Sequence, residues 1–249
     1  RNTSGSLYDG GFQRDINHPF ERIGGDGPED QSDRLALLAA AREPDLARRW
    51  TRLQALLDTD RFITLLAWTT ITWNWDGYPM ARNNYRIYHD PDTHKLVFIP
   101  HGLDQMFWEA QGTIYPRFQG LLAAAMMQVP EVRAAYRERL ATLTTNILDP
   151  DVLGRRIDEL TALITPYRPE APAQAARLKH QITARARSIA AQLQMADAQP
   201  VKFVGDTAAL SSWSRLAGAD GAPARAILVG ESLMRGPDIA ARVRELIGG

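Results

Sequence analysis

The sequence predicts an α+β chain, mainly helical, with one β-hairpin at about residues 84–100 and a partial small α/β segment at its C-terminal end. Three observations carry that expectation. Apolar residues recur at helical spacing from Leu35 to Ile71 and again beyond residue 130. Between those stretches the period drops to two in Tyr85-Arg86-Ile87-Tyr88 and Leu96-Val97-Phe98-Ile99, which the turn-rich segment HDPDTHK at 89–95 separates. From Gln199 the pattern changes again, with VKFV and AILVG as short strand candidates and a closing helix at 237–247. A domain over residues 1–197 is therefore expected to be followed by a partial module over 198–249.

Each element has its own local signal. The first thirty residues, rich in Gly and Asp, hold no sustained period and read as loop or short hairpin. Ser32-Asp33 provides a cap ahead of Leu35, Leu37 and Leu38, and Pro44-Asp45 opens a second helix through Leu46, Trp50, Leu53 and Leu57. Thr59-Asp60 caps a third, whose Phe62, Ile63, Leu65, Leu66, Trp68 and Ile71 make it apolar on most sides, as a central buried helix is. After the hairpin the chain is expected to be helical from Gly102 to about residue 197, broken near Pro130, Pro150, Pro166 and Pro169. Within it, Val132, Tyr136, Leu140 and Leu143 mark one helix face. Residues 173–193 form a long amphipathic helix whose basic residues Arg177, Lys179, Arg185 and Arg187 are expected to face water.

Composition excludes several classes. Lys plus Arg number 29, as do Asp plus Glu, and no basic run with interleaved aromatics occurs, so nucleic acid is a poor partner. With no cysteine there is no disulfide, thiolate metal site or thiol nucleophile. No window reaches the ~18 apolar residues of a membrane span. The chain opens at Arg1 without a signal peptide and reads as a fragment of something longer, so any targeting signal is expected upstream of Arg1.

The stretch WNWDGYPMARNNY at 73–85 places Asp76 in a turn between two tryptophans and the pair Asn83-Asn84. In a hairpin turning near Asp92, Asn84 falls opposite roughly Pro100, and Asp104 follows a few residues past that end. Asp76 arrives there from the preceding loop. Two carboxylates and an amide oxygen make a hard donor set, suited to Mg²⁺ or Mn²⁺ held together with phosphate. Protein kinases share the layout of a catalytic Asp, a metal-site Asn, a hairpin and a second, metal-holding Asp, although their HRD and DFG motifs are absent. The competing readings are structural: a turn for Asp76-Gly77, a helix cap for Asp104, a solvated turn for 89–94, a structural His101, and packing roles for Trp68, Trp73, Trp75 and Tyr78.

The run NWDGYPMARNNYRIYHDPDTHKLVFIPHGLDQMF at 74–107 resembles the core of the CotH kinase family, atypical kinase-like proteins named after a bacterial spore coat protein H. The likeness extends upstream through GSLYDGGFQRD and FERIGGDGPED, and downstream through Tyr-Arg-x-Arg-Leu at 136–140 and Arg-Ile-Asp-x-Leu at 156–160. The resemblance implies a kinase-like fold, mainly its helical C-terminal lobe with the metal-loop hairpin. It also implies phosphoryl transfer from ATP, with Mg or Mn, to Ser/Thr of a protein substrate. Carried over by position, Asp76 is the catalytic Asp, Asn84 or its neighbour Asn83 the metal-site and cofactor-binding amide, and Asp104 the metal-binding Asp. A secreted or cell-surface location follows from the family alone. Where the family shows Asp-x-Asp this chain has Gly102-Leu103-Asp104, and the family's ATP-contacting lysine and phosphate-covering loop are expected upstream of Arg1. Two other functions stay open, an inactive surface binding protein on the same fold and a metal-dependent phosphohydrolase.

Overall fold

The computed structural model describes residues 5–26 and 30–198; the strand candidates and closing helix after Gln199, and with them the second module, lie outside the described residues. The chain opens with strands β1 (Ser6–Asp9) and β2 (Glu21–Gly24) and continues into helices α1 (Ser32–Ala41), α2 (Leu46–Leu56) and α3 (Thr59–Thr72). A single turn, α4 (Tyr78–Ala81), precedes strands β3 (Tyr85–Asp90) and β4 (Lys95–Pro100). Helices α5 (Leu121–Met127), α6 (Pro130–Asn146), α7 (Pro150–Ile164) and α8 (Ala171–Ala198) follow. The fold is α+β, as the changes of period predict.

The hairpin forms with Tyr85 opposite Pro100 and Asp90 opposite Lys95. Asn84 therefore falls opposite His101, one residue beyond the expected partner, and its carbonyl accepts from the His101 N–H at 3.3 Å. The turn at 91–94 is largely solvated, in keeping with its polar composition. The opening segment is more than a loop, since β1 pairs antiparallel with both β2 and β3 and makes a four-stranded sheet in the order β2-β1-β3-β4. Tyr8 stands opposite Ile87, and both side chains are buried, which gives a segment without evident periodicity an apolar anchor on a sheet formed much later in sequence.

Against one side of this sheet lies α3. Ten of its fourteen residues, Phe62 and Ile63 and then Leu65 through Thr72, are buried, so the all-round apolar pattern does mark a central helix. Phe62 meets Phe98 of β4 edge-on at 5.0 Å between ring centroids. On the other flank α6 packs its buried Val132, Tyr136, Leu140 and Leu143, the four positions that helical spacing selects. Capping follows sequence at α2, where Asp45 accepts from the Arg48 N–H at 2.8 Å, and shifts by one residue at α3 and α1. Asp58 rather than Thr59 or Asp60 caps α3, because the Asp58 N–H donates to the Leu96 carbonyl of β4 at 3.0 Å and holds that residue outside the helix. At α1 the cap position is Gln31, in the left-handed region with φ of 53°, and its side chain instead closes a pair of hydrogen bonds with the Phe20 backbone.

Two expectations are corrected. Residues 101–120 are not helical, and a helix resumes only at Leu121. Backbone groups of this loop bond elsewhere: the Phe107 N–H to the Thr72 carbonyl at 2.5 Å, the Ile114 N–H to Gln192 Oε1 at 2.8 Å, and the Ile114 carbonyl to the Tyr136 hydroxyl at 2.6 Å. The basic residues of α8 are also not all solvated. Arg177 and Arg187 are exposed and Lys179 pairs with Asp158 at 2.6 Å, but Arg185 is completely buried. It sits three residues after Ile182 and four before Ile189, inside the apolar stripe that helical geometry turns inward. Among the described residues no helix is long and apolar enough to cross a membrane.

Candidate functional site

Asp76 is delivered by the turn that ends α3. Trp73 closes that helix in the left-handed region with φ of 41°, and α4 then returns the chain to β3. Arg82 and Asn84, with φ of 48° and 54°, complete the reversal, so that Asn83 and Asn84 face back on the residue seven and eight positions earlier. The Asn83 Nδ2 donates to Asp76 Oδ1 at 3.0 Å, and the Asn84 Nδ2 donates to Asp76 Oδ2 at 2.8 Å and to the Asp76 carbonyl at 3.0 Å. Both carboxylate oxygens are thus held in place by half-buried amides.

The other wall comes from the loop after β4. Gly102, with φ of +60°, lies against the Asn84 amide, close enough that a Cβ built on it would stand 3.1 Å from Asn84 Oδ1. Asp104 follows two residues later on the same loop, exposed, with its Oδ2 accepting from the Gln105 Nε2 at 2.8 Å. It makes no hydrogen bond to Asp76, Asn83 or Asn84 and caps no helix. The fold therefore joins Asp76, Asn83 and Asn84 directly, and brings the loop that carries Asp104 against Asn84 at Gly102. Trp75 and Trp108, one from each loop, meet edge-on at 6.1 Å and are 39% and 68% exposed.

A comparison with protein-family profiles matches residues 5–199 to CotH, described as CotH kinase protein. The chain belongs to the CotH kinase family. No curated protein matches it. Membership places the chain among kinase-like proteins. The CotH match takes in the opening hairpin as well as the central motif, which agrees with the pairing of β1 to β3.

Sequence reasoning missed the groups beneath the CotH motif. Asp15, which closes GSLYDGGFQRD, is buried; its Oδ1 accepts from the Tyr78 hydroxyl at 2.8 Å and the Ile16 N–H at 2.6 Å, and its Oδ2 from the Leu121 N–H at 2.6 Å. Tyr78 in turn accepts from the Leu122 N–H at 3.1 Å. One carboxylate joins the opening loop, the turn after Asp76 and the start of α5, and burial raises its pKa above the usual carboxylate value. No periodicity advertises such a residue. Arg185 did leave a signal, since a charge at an inward position of an amphipathic helix is either misplaced or structural.

Among the described residues no group of three or more His, Asp or Glu side chains forms a metal cage. The oxygen donors at hand are the Asn84 amide, whose nitrogen is committed to Asp76, and the exposed Asp104 carboxylate. Such a sparse, all-oxygen set fits Mg²⁺ or Mn²⁺, which complete their shells with water and substrate phosphate.

Proposed function

We propose that the protein transfers the γ-phosphoryl group of ATP to a Ser/Thr hydroxyl of a protein substrate in a Mg²⁺- or Mn²⁺-dependent reaction. One observation supports this above the others: the Asn84 amide spends its nitrogen on Asp76 and turns its oxygen toward the loop that carries Asp104. Asp76 orients the acceptor hydroxyl and receives its proton as the oxygen bonds to phosphorus and the bond to the departing ADP oxygen breaks. Asn83 and Asn84 fix the rotamer of Asp76, so no reorganisation is needed when the hydroxyl arrives. Asn84 Oδ1 and Asp104 would hold the cation. When bound, that cation neutralises charge on the phosphates. Placement outside the cytoplasm is part of this reading and rests on the family alone.

The test is phosphate transfer from labelled ATP by the full-length protein with Mg²⁺ or Mn²⁺, beside Asp76→Ala and Asp104→Ala. Incorporation by the wild type that is lost in both variants is the expected result. Undiminished transfer in the variants overturns the assignment. If the wild type neither transfers phosphate nor gains thermal stability from Mg²⁺ and ATP, the fold serves as a binding surface, the reading that Gly102 in place of an acidic residue favours.

A further inference from the structure

Both site loops converge on one buried guanidinium. The Arg185 Nη2 donates to the Thr70 carbonyl at 2.5 Å and the Nε to the Ile71 carbonyl at 3.3 Å, both in the last turn of α3, where the Thr70 carbonyl also accepts from the Trp73 N–H at 3.2 Å. The Nη1 donates to the Ala110 carbonyl at 3.3 Å and to the Gly112 carbonyl, in the loop that follows Asp104. Its plane lies 5.1 Å from the Trp73 ring, and the opposite demand comes from Gly112, where a Cβ would stand 2.3 Å from that indole. Seven residues along α8, Gln192 reinforces the same loop through the Gly112 carbonyl at 3.1 Å and the Ile114 N–H at 2.8 Å.

We infer that Arg185 is a positioning residue that sets the spacing of the Asp76 loop (73–84) and the Asp104 loop (101–114), making α8 the brace of the active site. Its link to metal binding rests on the proposed function; the brace itself does not. Stability alone is a poor reason for this residue, because a buried cation answered by carbonyls and an indole face costs desolvation that an apolar side chain would avoid. Burial draws its pKa down to about 10, so it remains charged at neutral pH. A planar fork bonds four carbonyls at once, two at the end of α3 and two in the loop after Asp104, which the single ammonium of lysine cannot do.

Arg185→Lys is compared with Arg49→Lys, a second buried arginine that joins Glu43, Ala125 and Gln128 and touches neither loop. Amide exchange is read at 4 °C, with every protein folded. The expected result is about tenfold faster exchange at Phe107 and Ile114 in Arg185→Lys, with α6 and α7 unaltered and no change at those amides in Arg49→Lys. Mn²⁺ affinity, measured by calorimetry, is expected to fall about tenfold in Arg185→Lys alone. Unchanged exchange at Phe107 and Ile114, or an increase spread evenly through α6 and α7, overturns the brace. If the wild type binds no Mn²⁺, the metal role of Asp104 fails while the exchange pattern still decides for or against Arg185. Should Arg185→Lys not fold, Gln192→Ala weakens the same loop and is read in the same way.

Discussion

A Cβ at Gly102 would lie 3.1 Å from Asn84 Oδ1 and 3.2 Å from its Cγ, on a backbone already at φ of +60°. Both the space and the dihedral therefore select glycine, which lets Asn84 approach the Asp104 loop. Gly102→Ala is expected to lower stability by about 1–2 kcal/mol in urea titration, from the left-handed conformation alone. Asp15 is the other residue whose environment outweighs its sequence context. Removing its carboxylate as Asp15→Ala strands two N–H groups and the Tyr78 hydroxyl in a buried site, an expected loss of about 3 kcal/mol or more by the same measurement. The contact of Asp76 with Asn83 and Asn84 was legible because turn residues and strand register place them at one end of a hairpin. Asp15 was not, since its partners Tyr78 and Leu121 are 63 and 106 positions away.

At the level of elements, α6 links packing to the site. Its buried face lies on α3, and the Tyr136 hydroxyl reaches through to the Ile114 carbonyl at 2.6 Å and the Thr70 Oγ1 at 2.9 Å. Burial pushes the pKa of that phenol well above its ordinary value, so it stays a donor at any working pH. Tyr136→Phe keeps the ring and strands the carbonyl, with an expected cost of about 1–3 kcal/mol measured as a lowered urea midpoint with unchanged slope. Helix faces, the central α3 and the hairpin register were readable locally because periodicity encodes which side is buried. The loop at 101–120 was misread as helix. Its apolar Phe107 and Ile114 are buried where their backbone groups bond to α3, α6 and α8 rather than within a helix of their own.

Across the whole molecule the pH response should carry the mark of Asp15. Burial raises its folded pKa above the ordinary 3.8, so the folded state holds this proton to higher pH than the unfolded chain does. Between those two values unfolding releases the proton, and stability contributed by the group falls as pH rises from about 4 and stays lower above the folded pKa. Asp30, Glu43 and Asp90 are shifted downward, chiefly by backbone N–H groups that donate to their carboxylates, and act in the opposite sense. The difference in unfolding free energy between wild type and Asp15→Asn isolates the group. It is expected to favour the wild type most below pH 4 and to shrink as pH rises, and a flat difference would refute the assignment.

The sequence by itself determined the α+β class, the helix faces, the central helix, the hairpin and the family, because each depends on spacing within a few residues or on one contiguous motif. Tertiary structure alone decided that the opening segment joins the sheet, that Asp15 caps a helix from across the fold, that residues 101–120 stay irregular and that Arg185 is buried between the end of α3 and the loop after Asp104. Those outcomes depend on which backbone donors and acceptors meet after the chain has folded. Partners separated by some seventy to over one hundred positions leave no trace in local periodicity.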